Sequence, residues 1–335
     1  MKKIVMFSLF LMVLIVGACS SKEETQPANA EKEEIAKIEY PKRAIELIVP
    51  YAPGGSTDIG ARILEKYIPK YLPDTQFVII NKSGGSGTIG MSDVFASKPD
   101  GYTLGITTHS TLTMQPLYGK TKYAHDSFQP IAKVFENQQI LVVKSDAPWQ
   151  TFEEWFEYVK NNPDSFTFGV SGGIGSGAHL PMAELEMLAD IKVKPVPFEG
   201  TPPAITAILG GHVDGAVLQP SDAQSLIETG ELRALINVGS TPVPYFPEIP
   251  LLKDKGYDIT YNINTSLFAP KDVPQEIVTL LQEALKQTLN DPEVMAEFEK
   301  VNLQLHYGDA AVVEQEVNDE TAKSKAVLEK LGLIE

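Results

Sequence analysis

The chain has 335 residues, 43% of them hydrophobic, and carries 28 lysines and arginines against 44 aspartates and glutamates, a formal charge of −16. That length suits about two domains, and the acidic balance excludes the basic face that a nucleic acid partner requires. Arginine occurs only as Arg43, Arg62 and Arg233, so a bound anion is expected to meet backbone N–H groups or a lysine sooner than a bidentate guanidinium.

The chain opens with a basic Met1 to Lys3, and residues 4–16 are apolar except for Ser8. The run is too short for a comfortable membrane span and has the layout of an export signal. Val16-Gly17-Ala18-Cys19 follows and resembles a bacterial lipobox. That resemblance implies cleavage after residue 18, lipidation of Cys19 and a membrane anchor. The alternatives are an uncleaved anchor helix or an ordinary secretory signal. Cys19 is the single cysteine, so no intramolecular disulfide forms. Residues 20–39 are rich in Ser, Lys, Glu, Gln and Ala and read as a flexible tether.

Residues 45–49 form a short apolar run that fits a buried strand. Ile59, Ile63, Leu64, Tyr67 and Ile68 then fall at helical spacing. Between them lie Pro53, Gly54, Gly55, Ser56, Thr57 and Asp58. The glycines allow a sharp turn and close approach by a ligand. Ser56, Thr57 and Asp58 are all good N-caps, and a helix start attracts a small anion. A capped βα turn with no ligand reads equally well.

Further strands are expected at 77–80 and 103–106, separated by a glycine-rich turn from Asn81 to Gly90 and a helix ending at Ala96. The second of these ends in Thr107-Thr108-His109-Ser110, and such C-terminal strand ends collect ligands in open α/β sheets. A strand at 140–143 opens a second α/β unit. A helix over 149–161 follows, with Trp155, Phe156 and Val159 on its core face, then a strand at 166–170. The loop Ser171-Gly172-Gly173-Ile174-Gly175-Ser176-Gly177-Ala178-His179 leads into a helix ending near Leu188. A strand at 195–198, a helix over 202–209, and strands at 213–218 and 232–238 complete the unit. A return strand at 264–269 leads to closing helices, one with Ile277, Leu280, Leu281 and Leu285 on one face and the last over 310–331.

Gly169-Val170-Ser171-Gly172-Gly173 matches the G-x-S-x-G turn of serine hydrolases, and Asp291 and His306 follow in the required order. The glycine tract runs on to Gly177, however, which favours an anion-binding nest over a nucleophile elbow. Gly85-Ser86-Gly87-Thr88-Ile89-Gly90 matches G-x-G-x-x-G but reads as a packing turn. The five histidines show no paired spacing for a metal, and neither metal nor cofactor is expected. His212 reads as structural, while His109 and His179 lie in loops expected to face a cleft.

The chain resembles the extracytoplasmic solute-binding receptors of the tripartite tricarboxylate transporter family, also called Bug receptors. The residues that carry the likeness are Tyr40-Pro41, Ile48 through Asp58, Asn81 through Gly90 and Pro99 through Leu104. In the second half they are Gly200 through Ile205 and Leu209 through Asp214. The resemblance implies an α/β type II periplasmic-binding-protein fold, two α/β domains with a ligand cleft and two interdomain crossovers. The division expected is 1–18 signal peptide, 19–39 lipidated cysteine and tether, 40–139 plus 264–335 as domain 1, and 140–263 as domain 2. It implies capture of a small organic acid and its delivery to membrane permease subunits, with no catalysis, by a monomer. The ligand contacts it implies in the first domain are Tyr51, Gly54, Gly55, Ser56, Thr57, Asp58, Thr108 and His109. In the second they are Ser171, Gly172, Gly173, Ser176, His179, Phe198 and Gln219. The rivals are an exported hydrolase using Ser171 and an orphan sensor that signals to a membrane kinase.

Overall fold

The computed structural model describes residues 39–118, 121–330, 332 and 334. The signal segment, Cys19 and the tether up to residue 38 lie outside the described residues. The early apolar runs pair in parallel: β1 (Ile45–Val49) lies between β2 (Phe77–Asn81) and β3 (Thr103–Thr108). Each strand leads into a helix, namely α1 (Ser56–Tyr67), α2 (Thr88–Ala96) and the single-turn α3 (Ser110–Thr113). Alternate residues of β1 serve two cores. Leu47 and Val49 pack with Leu64 and Phe298, whereas Ile48 packs with Met91 and Val94 on the other face. Burial on both faces is why β1 reads as an unbroken apolar run.

The long strand β4 (Phe128–Asn137) takes the chain across to a second sheet of β5 (Ile140–Lys144), β6 (Thr167–Ser171), β7 (Lys194–Phe198), β8 (Gly215–Leu218) and β9 (Leu232–Asn237). Its helices are α4 (Phe152–Asn161), α5 (Leu180–Ala189), α6 (Thr201–Leu209) and α7 (Pro220–Glu228). The chain returns as β10 (Ile263–Pro270) and closes with α8 (Gln275–Leu289), α9 (Pro292–Lys300), β11 (Leu305–Gly308) and α10 (Ala310–Lys330). The strand orders are β11-β4-β10-β3-β1-β2 and β7-β6-β8-β5-β9. Each sheet with its helices forms a lobe. Helix α10 begins on the first lobe through Val313 and Val317 and reaches the second core with Leu328.

The crossing from β4 to β5 is built from amides. Gln138 and Gln139 are each 2% exposed. Asn137 Nδ2 donates to Gln219 Oε1 at 2.7 Å and Gln139 Nε2 to the Gly177 carbonyl at 2.6 Å. Buried amides with these partners fix the path of the chain between the lobes.

Four local expectations are corrected. Strand β4 has no counterpart in the periodicity because Pro130, Lys133, Glu136 and Asn137 interrupt its apolar residues. Pro130 is tolerated beyond the reach of β11, which pairs only with Lys133 and Phe135. Helix α7 also appears where only a loop was expected. Helix α1 is capped by Gly55 without a side-chain bond, so Ser56, Thr57 and Asp58 belong to its first turn. In α8, Leu280 is 36% exposed and the buried face is Val278, Leu281, Ala284 and Leu285.

Candidate functional site

The parallel strands β1, β3, β6 and β8 point their C-terminal ends at one another across the lobes, and a cavity of about 50 Å³ lies between them. Such strand ends are where α/β proteins hold ligands. Tyr51, Gly55, Ser56, Thr57 and Thr108 line it from the first lobe, and Ser171, Gly172, Ser176 and Gln219 from the second. These are nine of the expected contacts. Ser110, Gln139, Thr201 and Ile263 also line it and were missed. Thr201 was legible as the residue after Gly200 at a strand end, whereas Ile263 carries no signal beyond ordinary core character.

No charged side chain lines the cavity among the described residues. The three arginines are engaged elsewhere: Arg43 with Asp100, Arg62 with Asp58, and Arg233 with the Trp149 carbonyl. The wall therefore offers hydroxyls, amides and the opening N–H groups of α1, which have no partner within the helix, whereas α6 opens with Pro202 and Pro203, which carry no N–H. Tyr51 shows how the hydroxyls are held. Its phenol oxygen lies 2.7 Å from Thr108 Oγ, 2.7 Å from Thr111 Oγ and 3.2 Å from Thr107 Oγ.

Six expected contacts lie off the cavity wall. Asp58, its side chain only 3% exposed, turns inward. Its Oδ2 accepts the Gly54 N–H at 2.9 Å and Arg62 Nε at 2.9 Å, and its Oδ1 accepts Asn81 Nδ2 at 2.9 Å and an Arg62 guanidinium nitrogen at 3.0 Å. Burial pushes the carboxyl up, but the Arg62, Gly54 and Asn81 hydrogen bonds outweigh it and hold the group below the usual carboxylate range. Asp58 thus braces the turn, and Gly54, at φ +82°, is the braced backbone. Gly173 rests against Ser86. Phe198 covers Gly169.

His109 and His179 are buried off the wall rather than facing the cleft. Thr108 ends β3 and turns to the cavity, whereas His109 has helical backbone, φ −58° and ψ −34°, at the start of α3 and turns back toward α10. There His109 Nε2 lies 2.7 Å from Ser266 Oγ, and Nδ1 lies 3.6 Å from Glu320 and 4.0 Å from Glu316. Burial, aided by the Lys133 ammonium, pushes the ring down to about 3, so these contacts join a neutral imidazole and not an ion pair. Lys133, 1% exposed, binds Glu136 at 2.7 Å and Glu316 at 2.8 Å. Burial of His179 likewise lowers its pKa, to about 4.

The hydrolase geometry is absent among the described residues. Ser171 Oγ meets Thr201 Oγ at 2.9 Å, and no base is bonded to it. Asp291 caps α9 and binds Lys70 and Tyr71, while His306 faces Glu136. A nucleophile needs a base within reach of its proton.

Across the cleft the lobes touch. Ser86 Oγ and Gln115 Nε2 donate to the Ile174 carbonyl at 3.0 and 3.1 Å, and the Ala52 N–H donates to the Glu199 carbonyl at 3.3 Å. Ser56 Oγ donates to Asp222 Oδ1.

Residues 61–333 match the model of the tripartite tricarboxylate transporter family receptor. The UPF0065 protein in gbd 5'region of Cupriavidus necator is 31% identical over 92% of this chain and 91% of its own length. Protein BugT of Bordetella pertussis is 28% identical over 77% of this chain and 80% of its own. Among solved structures, the periplasmic binding protein BugD superposes with a TM-score of 0.82 at 28% identity, covering 88% of this chain and 99% of its own. MatC from Rhodopseudomonas palustris with bound malate gives 0.80 at 27% identity over 86% of this chain and all of its own, a coverage of 100%. With the family model matched over residues 61–333 and relatives alike over most of its length, this chain belongs to the tripartite tricarboxylate transporter family of solute-binding receptors.

Proposed function

We propose that the chain is an extracytoplasmic receptor, anchored by lipid at Cys19, that captures a small organic carboxylate and hands it to a membrane permease of the tripartite type. The observation that carries this reading is the uncharged, hydroxyl-rich lining of the cavity, which includes the first turn of α1. An anion there meets aligned N–H groups and hydroxyl donors that need no counter-charge, and exclusion of water strengthens those bonds. The malate of MatC supports the ligand class, as does the adipate in a second R. palustris relative with a TM-score of 0.82 at 25% identity.

In this reading the lobes are the two domains, 40–139 plus 264–335 and 140–263, and closure over the ligand is what the permease recognises. The chain acts as a monomer without catalysis, and Tyr51, Thr57, Thr108, Ser171 and Ser176 are among its ligand contacts. No helix among the described residues is long and apolar enough to cross a membrane.

The test is a thermal-shift screen of the purified chain against mono-, di- and tricarboxylates and their amides. A ligand at 100 times its Kd stabilises the native state by about 2.7 kcal/mol. A shift with an acid but not with its amide is expected. No shift with any acid would defeat the carboxylate reading.

A further inference from the structure

One charged group at the cleft has no place in an anion site. Asp222 lies in the first turn of α7, just after the cavity residue Gln219. It reaches across to the first lobe and accepts the hydroxyl proton of Ser56. A serine hydroxyl has one proton and two lone pairs, whereas an ionised carboxylate only accepts. With its proton on Asp222, Ser56 Oγ offers the cavity acceptors alone.

Thr201 lines the same wall. Ser171 Oγ lies 2.9 Å from Thr201 Oγ. One of these two hydroxyls donates its proton to the other, so the donating one offers the cavity acceptors alone. The second oxygen, Asp222 Oδ2, is buried without a protein partner, and no lysine or arginine pairs with the group among the described residues.

A ligand carboxylate against this wall would face lone pairs and a like charge, each unfavourable in a water-poor cleft. A hydroxyl or ammonium group would find matched acceptors there. Donors for the carboxylate remain elsewhere on the lining, at the Thr57 N–H and at whichever of the bonded hydroxyls Thr108 and Ser110 does not donate to the other. We propose that Asp222 is a positioning residue that decides which groups the ligand carries, so that this receptor prefers acids bearing a hydroxyl or ammonium donor to the same acids without one. The inference rests on the carboxylate reading above and narrows it.

The test is calorimetric titration of the full chain with three matched sets: propionate, lactate and alanine; succinate, malate and aspartate; glutarate, 2-hydroxyglutarate and glutamate. Within the set that binds, the hydroxy or amino acid is expected to bind at least tenfold more tightly than the unsubstituted acid. Asp222→Ala frees the Ser56 proton and is expected to bring that ratio within about threefold. Ser56→Ala removes the acceptor itself and is expected to do the same, which keeps the test intact if the first variant does not fold. Asp222→Asn retains an acceptor for Ser56 without the charge, so an ammonium ligand is expected to lose more affinity than a hydroxyl ligand. A purely architectural role for Asp222 would lower all affinities together and leave the ratio unchanged, which would overturn the proposal. An unsubstituted acid binding as tightly as its partners would overturn it while leaving the carboxylate reading standing. Failure of all nine acids to bind would overturn both.

Discussion

Two glycine-bearing turns meet at the cleft, and they are held in different ways. The turn at Gly54 is braced from within by Asp58, whose carboxylate collects the Gly54 N–H, Asn81 and Arg62. A Cβ on Gly54 would come no closer than 3.9 Å to its nearest neighbour, so Gly54 itself is not packed against the other lobe, and the turn meets that lobe through Ala52 and Ser56 instead. The loop from Ser171 to Gly177 shapes itself through the Gly173 N–H to the Val170 carbonyl and Ser176 Oγ to the Ser171 carbonyl. Its tip, however, leans on the opposite lobe. A Cβ on Gly173 would sit 2.5 Å from Ser86 Oγ, and one on Gly175 would sit 2.6 Å from the Tyr118 ring. The first turn is therefore organised whether or not the lobes close. The packing of the second exists only when they meet.

The largest effect expected from breaking this contrast is on the first turn. Asp58→Ala leaves the Gly54 N–H and Asn81 Nδ2 without their acceptor in a buried site. The Arg62 pair itself matters less, because that side chain is 51% exposed and such pairs contribute under about 1 kcal/mol. Loss of the buried acceptor is expected to cost about 2–4 kcal/mol of stability, read as a drop in Tm of roughly 5–10 °C, together with weaker ligand binding. A fall of less than 2 °C would mean that the turn does not depend on its carboxylate.

A smaller effect, and one on binding alone, is expected from the second turn. Gly173 has φ +83°, a conformation in which an L-residue is strained by roughly 1–2 kcal/mol, and the added methyl collides with Ser86 only in the closed arrangement. Gly173→Ala is expected to weaken the ligand about tenfold while Tm without ligand moves by no more than roughly 3 °C. Equal losses of Tm in Gly173→Ala and Asp58→Ala would erase the distinction between the turns.

The same contrast explains what was legible in the sequence. Strands buried on both faces, such as β1, can be read from their apolar run, and so can the turn and helix that follow it, although not that Gly55 caps the helix and Asp58 braces the turn. Features that depend on distant partners cannot. Lys133 reads as a break in an apolar run, yet it is buried because Glu316, 183 positions away, binds it. His109 stands next to a cavity residue in the chain, but the chain leaves the strand there with helical backbone, and the side chain turns toward α10. Asp222 looks like an ordinary acidic residue in the first turn of a helix. Only the fold reveals that its partner, Ser56, lies 166 positions earlier.

The smallest effect expected separates the two carboxylates by pH. Asp58 is held below its ordinary pKa, so its contribution to stability is present above that ordinary value and is lost as pH falls through the lowered one. Asp222 behaves in the opposite sense. Burial, against the hydrogen bond from Ser56, raises it from 3.8 to about 6. The folded chain then binds that proton more tightly than the unfolded chain, and the stability Asp222 contributes when protonated declines as pH rises from about 4 through about 6. Asp222→Asn removes this titration while keeping the size of the side chain. The variant is expected to gain roughly 1–3 °C in Tm over the natural chain at pH 7.5, with the gain shrinking toward zero near pH 4. Thermal melts of both proteins at several pH values would show the convergence. A gain that stayed constant with pH would mean that the Asp222 carboxylate gives up nothing on burial, and that the two carboxylates differ only in their partners.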